Sequence, residues 1–355
     1  IHRSADLESG PFWPGGMAAH ADGSLHVVTG NHCHRLSAQL DVLVTRRLPG
    51  ERPYNSFVVL TDGTLVMKDF DRDVREPARL VLLDPERLER RCEDVPLPEA
   101  AIARLSADGD DVYVVGASAV TRLRWDGAAL RPDTDWGAAY LQPGQSYGWD
   151  PVIAGGHLWF MDNGAHDFVT TMQGAGIAPG PVHLIRMSLT DPRDIERVEV
   201  CGAARGAVTD PPFYDAQRRI AVAYDSANGV VQAFRFDGRL TPLWRRELGH
   251  AAHMIGYPDT GELVLHDFHG PAVGRTRLGR AVSRRATMIM RNPRLRSLAT
   301  RTSRDEVAVV DIETGEERGR AAVPSLLQSV VFPAPGFGRD LYWCSMTTIA
   351  RVTVT

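Results

Sequence analysis

The chain has 355 residues, a formal net charge of −4 and four cysteines. That charge balance gives no global argument for nucleic acid or an acidic membrane surface as partner. Cys33, Cys92, Cys201 and Cys344 form no CxxC pair, and no apolar run of about eighteen residues marks a membrane span.

Seven times along the chain an apolar strand meets a tight polar turn and a second strand rich in β-branched or aromatic residues. The copies are 17–29, 55–69, 103–116, 150–162, 210–225, 253–267 and 328–344. In the first, strand A is expected over 17–21, the turn at Asp22-Gly23, strand B over 25–29, and strands C and D over 34–38 and 41–47. Further Asp-Gly turns stand at 62–63 and 108–109, where glycine accepts positive φ without steric cost. Second hairpins are expected over 120–132, 230–246 and 307–323, from their alternation of apolar and polar residues. A strand-built repeat with a period of roughly 40–50 residues predicts an all-β fold, a seven-bladed β-propeller forming one domain over 1–355. Six blades is the alternative if 328–355 completes a blade opened by residues 1–50. The last repeat lacks an evident strand D, and residues 1–8 are expected to supply it, closing the sheet edge.

Two segments interrupt the pattern, both between strands B and C. One is the Gly-rich stretch 163–181; the other is 270–304, with ten arginines and no acid. Loops of this length usually carry a function. In a propeller the B–C and D–A connections share one face, so both insertions are expected over the channel mouth. Lys68 is the only lysine of the chain, a usage that reads as codon bias. No signal peptide is visible, which predicts a cytoplasmic protein; the alternative is a removed leader, since the sequence opens on Ile1.

GGMAAHADGSLHVVTGNHCHRL (15–36), YNSFVVLTDGTLVMKDFD (54–71) and IAVAYDSANGVVQAFRFDG (220–238) resemble the repeats of NHL-type and gluconolactonase-like propellers, and of streptogramin-lyase-like propellers. The resemblance covers most of the chain at blade level. It implies a divalent cation, Ca or Mg, held by carboxylate and amide oxygens at the starts of inner strands. The Glu8-containing stretch LESGPFW (7–13) superficially matches the first metal motif of that group but lies about a strand too early.

Three sets of residues could carry chemistry. Asn55, Asp150, Asp210, His253 and Gln328 begin inner strands. Converging oxygens suit a hard cation, which would make Asn55, Asp150 and Asp210 metal ligands, with His253 the fourth although a hard-cation site does not ask for imidazole; the alternative is that Asp and Asn cap strands there. His32, His34, His166, His250, His253, His266 and His269 fall in connections on one face. Imidazole serves acid–base chemistry or binds Fe, Cu or Zn. His253 and His266 bound one hairpin and, with Asp267, are the expected catalytic residues. His20, His26, His157 and His183 read as structural. Asp69, Asp162, Asp225 and Asp267 end B strands, a recurrence that argues for a shared turn role, with Asp162 and Asp267 as exceptions because they border the insertions. Tyr147, Trp149, His166 and Phe168 are expected to line the substrate site. Together these predict metal-assisted hydrolysis or lyase chemistry on a small molecule. The rivals are a non-catalytic propeller binding a ligand or protein through the arginine-rich stretch, and a histidine-ligated redox metal.

Overall fold

Each repeat folds as a four-stranded antiparallel sheet, and the computed structural model holds seven such sheets. It describes residues 2–11, 14–71, 74–165, 180–202, 209–225, 229–248, 254–268, 305–323, 330–333, 340–344 and 348–352. The chain divides into two compact units, Ile1–Ala139 with Gln328–Thr355, and Tyr140–Leu327.

The first unit opens with β1 (His2–Arg3), followed by three sheets. These are β2 (Pro14–Ala19), β3 (Leu25–Thr29), β4 (His32–Leu36) and β5 (Val42–Arg47); β6 (Val58–Val59), β7 (Leu65–Lys68), β8 (Arg79–Leu83) and β9 (Val95–Pro96); and β10 (Ser106–Asp108), β11 (Asp111–Val115), β12 (Ala119–Trp125) and β13 (Leu130–Ala139). The second unit carries β14 (Val152–Ala154), β15 (His157–Met161), β16 (Val182–Ser188) and β17 (Ile195–Cys201); β18 (Phe213–Asp215), β19 (Ile220–Asp225), β20 (Val230–Phe236) and β21 (Leu240–Glu247); and β22 (Met254–Tyr257), β23 (Glu262–Phe268), β24 (Asp305–Asp311) and β25 (Glu317–Val323). The chain then returns to the first unit with β26 (Val330–Pro333), β27 (Leu341–Cys344) and β28 (Ile349–Val352). The fourth strand of that last sheet is β1, with His2 opposite Arg351 and Arg3 opposite Ala350, so residues from the two ends of the chain complete one sheet. Among the described residues no helix is long and apolar enough to cross a membrane.

The burial pattern explains the composition of each strand. The middle strands β3, β7 and β19 are buried at every position, because sheets pack on both of their faces, and they read as nearly continuous apolar runs. The outermost strand β5 is exposed along almost its whole length. Within the first unit, one core joins the sheet of β2–β5 to that of β6–β9 through Val28, Cys33, Leu65, Met67 and Val81. Another joins β6–β9 to β10–β13 through Val66, Leu80, Val112 and Leu123. In the second unit Trp159 stacks on Tyr214 at 4.5 Å between two adjacent sheets. The Asp-Gly turns form as expected, with Gly23 and Gly63 both at φ 84°. Asp22 and Asp62 each accept the N–H two residues on, at 2.8 and 2.9 Å.

Two details differ from the sequence expectation. Strand A of the first repeat starts at Pro14 rather than 17, and its pairing is irregular between Pro14 and Met17. Strand C begins at His32 rather than 34, so His32 and His34 are strand residues. His34 is buried between the Glu8 carbonyl (2.8 Å) and the hydroxyls of Thr29 and Thr45 (3.0 Å each). Glu8 thus contributes its backbone oxygen to the fold.

His26 on β3 is fully buried, and its Nε2–H donates to the Pro85 carbonyl at 2.8 Å. Burial lowers its pKa from 6.5 to about 4. A folded-state pKa below the unfolded one means that the stability is intact above about pH 6.5 and lost as pH falls towards 4. His26 alone should remove about 3 kcal/mol across that window. His26→Gln keeps the donor and does not titrate, so urea unfolding between pH 7 and 4 should show a flatter pH dependence for this variant. Parallel curves would contradict the assignment.

Candidate functional site

In each unit the end of the sheets where A strands begin and B–C connections leave carries buried charged side chains, Lys68 and Asp69 in the first and Asp150, Asp162, Asp210 and Asp225 in the second. Its geometry is set by one repeated pairing. Isolated bridges join Tyr54 to Asp69, Gly148 to Asp162 and Thr209 to Asp225. The next residue in each case donates its N–H to the carbonyl preceding the aspartate: Asn55 to Lys68 (3.2 Å), Trp149 to Met161 (2.7 Å) and Asp210 to Tyr224 (2.9 Å). Asn55, Trp149 and Asp210 are therefore register equivalents, and Asp150 stands one position further along. A one-residue offset turns a strand side chain to the opposite face, so Asp150 does not repeat the placement of Asn55 and Asp210. Asp150 and Asp210 are both buried.

Asn55 is committed to another cation. Its Oδ1 accepts from Lys68 Nζ at 3.1 Å and its Nδ2 donates to the Ile102 carbonyl at 2.5 Å. Lys68, wholly buried, also donates to the Ala101 carbonyl at 2.6 Å and lies 5.6 Å from the Phe70 ring centroid. Arg104 Nε donates to the Asn55 carbonyl (3.2 Å), and the Leu105 N–H donates to Ser56 Oγ (2.7 Å). The start of the second sheet's inner strand thus grips the segment leading into the third sheet. An ammonium bound to the amide oxygen disfavours a divalent ion there by like-charge repulsion, so Asn55 does not fit the metal-ligand role expected of it. Among the described residues, no group of three or more His, Cys, Asp or Glu side chains is placed to hold a metal ion.

Of the aspartates that end B strands, Asp69 and Asp162 make the same set of turn contacts. Asp69 and Arg79 exchange main-chain to main-chain and main-chain to carboxylate bonds: Asp69 N–H to the Arg79 carbonyl (3.0 Å), and Arg79 N–H to Asp69 Oδ1 (2.6 Å). Asp162 and His183 do the same at 3.2 and 3.0 Å. In each pair the second carboxylate oxygen takes the partner's side chain, the Arg79 guanidinium at 3.4 Å and His183 Nδ1 at 2.8 Å. Each clamp closes the base of a B–C connection, one short and one carrying the insertion 163–181.

The other expected site residues are distributed as follows. Tyr147 and Trp149 are half-buried just before β14, and the Tyr147 carbonyl accepts from Asn163 Nδ2 at 3.3 Å. Asn163 Oδ1 in turn accepts from Thr209 Oγ1 at 3.0 Å, a buried bond joining the fourth and fifth sheets. His266 and Asp267 lie in β23, opposite Val307 and Glu306, with their side chains outside the described structure. His166, Phe168, His253 and Gln328 lie outside the described residues, as do the bodies of both insertions. Both insertions do leave from B–C positions, between β15 and β16 and between β23 and β24.

This architecture defines the chain as a seven-bladed β-propeller. Among solved structures, streptogramin B lyase is similar over 100% of this chain and 98% of its own, with a TM-score of 0.62 and 9% identity. The Cps50 (Swd1) β-propeller domain of Myceliophteria thermophila is similar over 98% of this chain and 99% of its own, with a TM-score of 0.60 and 11% identity. At these identities the likeness is one of fold. No family model and no curated protein sequence matches the chain.

Proposed function

We propose that the protein is an enzyme acting on a small molecule, of the lyase or hydrolase type, at the end of the second unit where the A strands begin. The observation that carries this reading is the concentration of buried carboxylates there outside the Asp162 clamp: Asp150, Asp210 and Asp225, each at most 6% exposed. Burying a charge is costly, and such groups gather where chemistry requires them. The full-length fold likeness to a lyase agrees with this reading, by analogy of fold alone. Tyr147 and Trp149 offer aromatic surface beside these acids. The metal-assisted form of the reaction needs ligands outside the described residues, His253 among them.

The test is turnover of a panel of lactones, esters and streptogramin B, with elemental analysis of the purified protein. Asp210→Asn should lower turnover at least about 100-fold while changing stability by no more than about 2 kcal/mol. His157→Ala should leave turnover unchanged, since that ring bonds the Gly155 carbonyl (2.7 Å) and packs on Phe236. Bound Ca or Mg would support the hydrolase or lyase form, and Fe, Cu or Zn the redox alternative. Absence of turnover across the panel would favour a binding propeller, a reading the likeness to the Cps50 (Swd1) domain keeps open.

A further inference from the structure

The two B-strand clamps differ in one respect that the clamp itself does not require. Arg79 closes its clamp with a guanidinium, which holds a carboxylate without titrating. His183 closes the other with Nδ1 alone. Asp162 Oδ1 also accepts from the N–H groups of Gly164 (3.1 Å) and His183 (3.0 Å), and with the Gln145 amide turned so that its nitrogen faces the carboxylate, Oδ2 accepts from it at 3.1 Å. An acceptor so placed puts the imidazole proton on Nδ1 and leaves the lone pair on Nε2. Nε2 has no hydrogen-bond partner among the described residues, and the His183 side chain is 17% exposed. The sheet thus presents an oriented base.

A cation stands on the same face. His183 on β16 is opposite Glu199 on β17, and Ile185 is opposite Arg197, so Arg197 is one pleat repeat, about 7 Å, along from the His183 row. Arg197 is half-buried, and among the described residues its guanidinium makes no hydrogen bond or ion pair. Burial lowers its pKa, with the charges of Asp162 and Tyr140 opposing. Glu199 is exposed, and its Oε1 lies 2.5 Å from where a Cβ on Gly202 would sit, so its carboxylate is turned over the end of the strand.

We infer that His183 and Arg197 form a binding site for a small organic carboxylate, in which Arg197 holds the carboxylate through its paired N–H groups and His183 Nε2 accepts a proton from the bound molecule. The match of guanidinium to carboxylate geometry selects this ligand class over neutral or cationic ones. In the transfer itself, the bond from hydrogen to the ligand's carbon or oxygen breaks, its electron pair stays on the ligand, and the Nε2–H bond forms. The inference deepens the enzymatic reading, but its readouts are tautomer and binding, so it stands or falls apart from turnover.

The full-length protein labelled with ¹⁵N-histidine allows a direct test, with the His183 resonances assigned by their loss in His183→Gln. Nδ1 should carry the proton and Nε2 should be bare at neutral pH. Asp162→Asn should invert that tautomer, because its amide presents N–H to Nδ1. Titration with benzoate should shift the His183 resonances to saturation. Arg197→Met should weaken this at least tenfold, Arg197→Lys less, with the thermal transition checked for every variant. A proton on Nε2 in the unmodified protein would overturn the inference. So would a benzoate titration that leaves His183 unmoved or is the same in Arg197→Met.

Discussion

Removal of residues 1–10 should destabilise the protein by about 4–6 kcal/mol, the sum expected for one buried leucine and several buried hydrogen bonds. The segment supplies β1, and its Ser4 exchanges two bonds with Ile349 at 2.9 Å each. Leu7 is 5% exposed and packs with Met17, Leu25, Leu36, Tyr342 and Ile349 in the core between the first and last sheets. The Glu8 carbonyl accepts from Thr29 Oγ1 (2.6 Å) and from the buried His34 (2.8 Å), both of which would lose an acceptor in a region closed to solvent. The truncation also exposes β28 as a sheet edge, which invites association. Urea unfolding of the truncated and full-length chains measures the loss, and Leu7→Ala should reproduce about 2–3 kcal/mol of it. An unchanged unfolding midpoint would mean that the two ends are not held together in solution.

Lys68→Met should cost about 2–4 kcal/mol, because it leaves Asn55 Oδ1 and the Ala101 carbonyl buried without their donor. Lys68→Arg should also destabilise the fold, since the larger, planar guanidinium must enter a wholly buried site among Asn55, Phe70 and the 101–105 segment. Asn55→Ala should lose stability comparably and leave any bound metal in place. The reverse result, with metal lost and unfolding unchanged, would return Asn55 to the ligand role its sequence position suggested. The usage of lysine in this chain gains a physical reading here. This position needs a compact ammonium that the Asn55 and Ala101 oxygens can approach together.

The repeat, the hairpins and their turns were legible because alternation and Asp-Gly placement are local properties. The D strand supplied by the N-terminus was legible for a related reason: the last repeat runs short by one strand, and an unpaired edge is costly. The site was legible only as a set of positions. Asn55, Asp150 and Asp210 look alike in sequence, each polar at the start of an inner strand, yet the bridge from Gly148 to Asp162 places Trp149 where the others have Asn55 and Asp210. His183 reads as an ordinary strand residue, and nothing near it in sequence signals Asp162, twenty-one residues earlier.

What the sequence by itself determined is the all-β architecture, the repeat of about seven strand pairs and the places where the chain departs from it, whereas the pairing of β1 with β28 decided for seven sheets over six. The first three follow from period-two patterning, turn chemistry and strand count, which act over a few residues at a time. Only the tertiary structure decided which side chains share a face, that Lys68 serves as the cation at Asn55, and that Asp162 orients His183. Each of these depends on the pairing register between strands, which a single irregular residue shifts and which reverses the direction of every side chain beyond it.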